Sequence, residues 1–209
     1  MKKLLLGIAA VCLAGFTFAQ DAPLWMRHSV ISPDGTTIAF TYKGDIYTVP
    51  VAGGRAMQIT TNPAYDTAPV WSPDSKRIAF ASDRMGSLDV YIVAKDGGEP
   101  RRLTTHSGSE TPLAFTDAGH VLFSAGIMPS AEAVVFPSNG QFNQVYRVSV
   151  EGGRPTMISS MPMECISINK EGAMLYQDKK GYEDYWRKHH VSPIARDIWM
   201  YTPGKEPQY

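Results

Sequence analysis

Val70–Arg84 reads VWSPDSKRIAFASDR, and forty positions earlier Val30–Gly44 reads VISPDGTTIAFTYKG. A phrase written twice at such spacing is tested first as a structural repeat, because a fixed period decides the architecture of the whole chain. The phrase has an apolar residue, a turn, then a short apolar strand: Ile31 to Gly35 and Ile38–Phe40, then Trp71 to Ser75 and Ile78–Phe80. Looser copies follow at Phe115–Gly119 with Val121–Phe123, and at Ile168–Gly172 with Met174–Tyr176. These two are one residue shorter between anchors and depart from Ser-Pro-Asp-Gly.

A second anchor recurs between the copies: a tyrosine strand running into a glycine pair. Tyr47 precedes Gly53–Gly54, Tyr91 precedes Gly97–Gly98, and Tyr146 precedes Gly152–Gly153; a fourth copy begins at Asp197–Tyr201. Ser32-Pro33-Asp34-Gly35 suits a type I turn, with Pro33 fixing φ at its second position, so it joins two antiparallel strands. Asp96-Gly97-Gly98 tolerates positive φ and makes a second hairpin, leading into Arg101–Thr104. The unit is therefore four consecutive strands in about 40 to 55 residues, the size of a propeller blade.

The expected fold is all-β: a β-propeller of four-stranded antiparallel blades, incomplete, over 25–209. The blades fall at about 25–66, 67–108, 109–162 and 163–209, the last without its final strand. In Ile78-Ala79-Phe80-Ala81 the bulky residues take one face and the alanines the other, so large groups of one blade fill the shallow face of a neighbour. Trp71, Phe115, Tyr47, Tyr91 and Tyr146 are accordingly read as packing between blades. Two inserts interrupt the pattern, at 125–143 and 178–196, and long loops on a rigid scaffold are where binding groups sit. Propellers close with four to eight blades, so an unclosed set exposes a strand edge and reads as a fragment of a longer chain.

The first nineteen residues read as a signal peptide, with Lys2-Lys3, an apolar core at Leu4–Gly15 and small residues up to Ala19. The apolar run is shorter than the roughly 20 residues that span a bilayer. Residues 20–24 form a linker, and the location is expected to be exported, periplasmic or extracellular, with no membrane anchor. Cys12 falls in the leader. Cys165 then stands alone in a strand-like flank and is expected to be a buried thiol.

The chain carries 20 basic and 20 acidic residues. Without the leader's two lysines it is slightly acidic, which gives no electrostatic case for nucleic acid. No Gly-x-Ser-x-Gly elbow, His-Glu-x-x-His helix or phosphate loop occurs in the sequence. His28, His106 and His120 are read as surface or strand-end residues. His189-His190, beside Glu183, Asp184 and Asp197, is the one pair that suggests a metal, but adjacent strand residues point to opposite faces, and a solvated basic segment is preferred. Asp83-Arg84 is expected to form a hydrogen-bonding pair in a turn. No catalytic, cofactor-binding or metal residue is assigned.

With these repeats the chain resembles the bacterial tricorn protease-like proteins. The resemblance is carried by Ala22–Arg27, Ile31–Gly35, Lys43–Tyr47, Pro69–Asp74, Ile78–Arg84, Arg102–His106, Trp186–His190 and Arg196–Trp199. TolB-type and prolyl oligopeptidase-like propellers share the Ser-Pro-Asp turn. The resemblance implies a non-catalytic N-terminal propeller of an exported serine peptidase, gating or docking peptide substrates. Its partners would be the remaining blades and the peptidase domain of a parent chain. The alternative is a stand-alone TolB-like propeller that binds an envelope protein or a glycan; a self-sufficient hydrolase is the third reading.

Overall fold

A computed structural model describes residues 25–126, 143–161, 163–169, 171–178, 197–202 and 204–205. Residues 1–24, read above as leader and linker with Cys12, nearly all of both inserts and the His189-His190 pair lie outside the described residues. Every described element is a strand. Strands β1 (Arg27–Ile31), β2 (Thr37–Tyr42), β3 (Asp45–Pro50) and β4 (Met57–Gln58) form one antiparallel sheet in chain order. A second sheet follows with β5 (Asp66–Trp71), β6 (Arg77–Ser82), β7 (Asp89–Ala94) and β8 (Arg101–Arg102). The third is β9 (Glu110–Asp117), β10 (His120–Ala125), β11 (Gln144–Ser149) and β12 (Thr156–Ser159). The fourth sheet has three strands among the described residues, β13 (Met163–Ile168), β14 (Met174–Asp178) and β15 (Ile198–Tyr201). The described residues thus form four blades of an all-β propeller.

The repeated phrase folds as its turn chemistry dictates. Gly35 N–H donates to Ser32 O at 2.8 Å and Ser75 N–H to Ser72 O at 2.9 Å, closing both turns. Each serine hydroxyl also donates to the aspartate two residues on, Asp34 or Asp74. The hydrogen bonds from Ser32 and from the Thr36 amide and hydroxyl hold the Asp34 carboxyl down at about 2. In the fourth blade Asn169 takes over: its side-chain oxygen accepts from the amides of Glu171 and Ala173.

Sheet faces stack in one direction. The bulky face of the second blade, Trp71, Ile78, Phe80, Tyr91 and Val93, packs on Ala39, Ile46 and Ile59 of the first. Phe115, Val121, Phe123, Tyr146 and Val148 of the third blade pack likewise on Ala79, Val90, Ile92 and Leu103 of the second. Large side chains therefore fill the shallow face of the blade before them. Stacked ring pairs repeat within each bulky face: Phe40 with Tyr47, Phe80 with Tyr91, Phe123 with Tyr146. Trp71, Phe115, Tyr91 and Tyr146 lie between blades. Tyr47 differs: it is half-buried on the bulky face of the first blade, which points away from the second, and packs on Phe40 and Tyr42 of its own sheet.

The inner strands carry a feature the pattern does not announce. Register shifts interrupt β1, β5 and β13 where each pairs with its outer neighbour, and His28, Ala68 and Cys165 there take φ of 50°, 51° and 53°. These bulges twist each inner strand as it runs along the axis. They also overturn the expectation for Cys165. Its thiol is exposed, because the left-handed residue breaks the alternation that would have turned it inward.

Candidate functional site

Two blade seams carry buried charge at the same end of the sheets. The acids arise from strand starts: Asp45 opens β3, Asp66 opens β5, Asp89 opens β7 and Glu110 opens β9. Members of each pair, Asp45 and Asp89, Thr60 and Thr104, Asp66 and Glu110, are 44 positions apart. The motif is therefore part of the repeat.

In the first seam Arg84 reaches Asp66 on the neighbouring strand of its own blade, its Nη2 lying 3.1 and 3.0 Å from the two carboxylate oxygens, while its Nε donates to Ser82 Oγ at 2.8 Å. The guanidinium lies over Tyr91 at 4.5 Å from the ring centroid and over Phe80 at 5.6 Å. Planar stacking of this kind suits arginine and not lysine. The expected Asp83-Arg84 pair does not form. Asp83 instead accepts from Tyr65 N–H at 2.7 Å, so the two neighbours hold two consecutive residues, Tyr65 and Asp66, at the start of β5. Thr60 Oγ1 accepts from Ile46 N–H and donates to Asp45 Oδ1, whose carboxyl burial pushes above its usual range.

The second seam repeats the parts with less compensation. Asp89 and Glu110 are both 0 % exposed. Arg102 Nη2 is 2.8 Å from Asp89 Oδ2, but its N–H bonds are not aligned on either oxygen. Thr104 Oγ1 accepts from Val90 N–H at 2.9 Å and lies beside Glu110. Burial raises the Glu110 carboxyl to about 7, with Thr104 opposing that rise and Asp89 adding to it.

The third seam is built differently among the described residues. Gln144 and Met163 occupy the positions of the acids, and the contact is apolar, with Leu122, Val145, Met174 and Tyr176 in its core.

The inner strands enclose an axial cleft of about 670 Å³, lined chiefly by apolar groups including Val30, Trp71, Pro73, Phe115, Ile166 and Ile168. It draws on all four blades. None of the described histidines lines it: His28 is exposed beside Thr67 Oγ1 at 3.1 Å, His120 pairs with Asp117 at the β9–β10 turn, and His106 caps Gly108 N–H in an exposed loop. No group of three His, Cys, Asp or Glu positioned for a metal ion occurs among the described residues. The arrangement suits recognition of a chain segment by shape and apolar contact, with the charged seams acting as struts.

Comparison with known proteins gives these features a context. The model of the tricorn protease N-terminal β-propeller domain family matches residues 23–208. Tricorn protease homolog 1 of Streptomyces coelicolor is 25% identical over 180 residues, covering 86% of this chain and 16% of the relative. An uncharacterized peptidase, YuxL, of Bacillus subtilis is 30% identical over 129 residues, 61% of this chain and 20% of its own length. The chain thus spans about a fifth or less of these two relatives. Among solved structures, a putative TolB from Agrobacterium tumefaciens superposes with a TM-score of 0.64 at 16% identity, over 86% of this chain and 58% of that one. The tricorn protease superposes with a TM-score of 0.61 at 13% identity, over 84% of this chain and 21% of that one. At these identities the structures speak for the fold.

Proposed function

The chain belongs to the family of tricorn protease N-terminal β-propellers, and from that premise we propose that it is the non-catalytic propeller of an exported tricorn-like serine protease. Its role is to dock or gate peptide substrates for a peptidase domain that lies outside this sequence. The observation that carries the reading is the family match across residues 23–208, joined to an axial cleft that presents apolar groups from all four described blades. An extended peptide matches such a cleft, since its side chains fill apolar pockets while its backbone stays solvated. Export is supported by the leader-like first nineteen residues. The remaining blades and the peptidase domain of the parent chain are its partners.

The test uses the full-length product of the gene and fluorogenic peptides of graded length. Ile31 lines the cleft and is 59% exposed, so Ile31→Arg alters the lining without entering a core. The expected result is a KM raised several-fold for long peptides with kcat unchanged for the shortest ones. Absence of peptidase activity in the full-length protein, with capture of an envelope protein in its place, would instead favour a TolB-like binding module. Peptidase activity with the same length dependence in both forms would remove the docking role alone.

A further inference from the structure

We propose that the seam between the second and third blades is a proton-held latch, in which Glu110 carries a proton facing Asp89 that is lost on alkalinisation, loosening the contact between those blades. The geometry supplies the argument. The two carboxyl groups come from different blades, Asp89 on β7 and Glu110 on β9, and both are fully buried. Among the described residues none of their four oxygens has an aligned hydrogen-bond donor, although the Thr104 hydroxyl lies beside Glu110 and favours its charged form. The cation facing them is Arg102 on β8, which contacts Asp89 only, and its own Nε is also without an aligned acceptor. Arg84, the other cation near Tyr91, is committed to Asp66.

Two carboxylates against one guanidinium would leave an uncompensated negative charge in a buried seam, which is strongly unfavourable. A proton on Glu110 removes that charge and supplies the missing donor to Asp89. The other groups around the pair do not substitute for the proton. The Tyr91 phenol is held neutral by burial, Asp66 on β5 adds negative charge, and Ala125 and Gln144 at the facing ends of β10 and β11 are uncharged. His106 in the β8–β9 loop is exposed and turned to Gly108. The elevated Glu110 carboxyl, at about 7, agrees with this geometry.

The sign follows from linkage. A carboxyl raised on folding binds its proton more tightly in the native state, so the stability it lends is full below its unfolded value and is lost as pH rises through about 7.

Two measurements test the latch in the full-length protein. Thermal melting of the propeller between about pH 5.5 and pH 8.5 should show a fall of about 5 °C or more, and Glu110→Gln, which keeps the donor at every pH, should abolish most of that fall. Infrared difference spectra of protein labelled with 13C-glutamate should show a neutral carboxylic acid C=O band that disappears through neutral pH and is missing from Glu110→Gln. If Glu110→Gln does not fold, the labelled wild-type spectrum decides by itself. A wild-type spectrum without a glutamic acid band titrating near neutrality overturns the proposal, as does an unchanged melting profile in a folded Glu110→Gln.

Discussion

The first and third blade seams solve one packing problem with different chemistry. Between the first and second blades, aromatic and branched side chains sit on alanine, and a buried Asp66–Arg84 pair closes one end. Between the third and fourth, Leu122 stands where Ala39 and Ala79 stand in the earlier blades, and Met163 replaces the acid. Both seams bury a continuous core. Stacking of blades therefore needs complementary shape, while charge at the seam is an addition whose benefit depends on complete pairing.

The largest expected effect breaks the shape term. Trp71 is 8% exposed, fills the first seam and donates its indole N–H to Val30 O at 3.2 Å. Trp71→Ala should cost about 3 to 5 kcal/mol in a denaturant melt, since it removes a large ring and its indole hydrogen bond between two blades. A loss below about 1 kcal/mol would mean that the seam collapses onto the space and that shape matters less than proposed.

Charge comes next. Asp66→Asn leaves the Arg84 guanidinium, mostly buried against Phe80 and Tyr91, without its carboxylate, at an expected cost of about 3 kcal/mol. The double variant Asp66→Met with Arg84→Leu imitates the apolar third seam and should recover most of that loss. If the double variant is as unstable as the single, the ion pair has a positive role that the third seam meets in some other way. Chemical denaturation of the three proteins side by side separates these outcomes.

Much of this was legible in the sequence, for reasons tied to particular residues. The Ser-Pro-Asp turns and the tyrosine-to-glycine hairpins signal locally, since proline fixes φ and glycine permits its positive range, so strand order and blade count follow from short stretches. The bulky-and-alanine alternation at Ile78–Ala81 likewise predicted stacking between blades. Cys165 and Arg84 were misread because their settings are not local. A bulge reverses the alternation at Cys165, and Arg84 takes a partner 18 positions back. The charged seams had a signal that went unused: the acids and threonines recur at the same 44-residue spacing, but isolated acids at strand starts look like turn residues until the blades are stacked.

The smallest expected effect separates the two copies of the repeated phrase. Gly35 and Ser75 hold the same place in their turns, with φ of 70° and 57°, but only Ser75 has a side chain to strain there. That serine also ties the copies together, its Oγ accepting from Asp34 N–H at 3.1 Å. Ser75→Ala keeps the left-handed strain and loses the hydrogen bond, so it should cost about 1 kcal/mol. Ser75→Gly loses the same bond but relieves the strain, two opposing contributions of about 1 kcal/mol each, and should lie close to wild type. Urea midpoints for the two variants give the difference directly. Equal losses would mean that the turn is unstrained at Ser75, and that the tie between the two turns is then the whole energetic distinction between one copy of the phrase and the other.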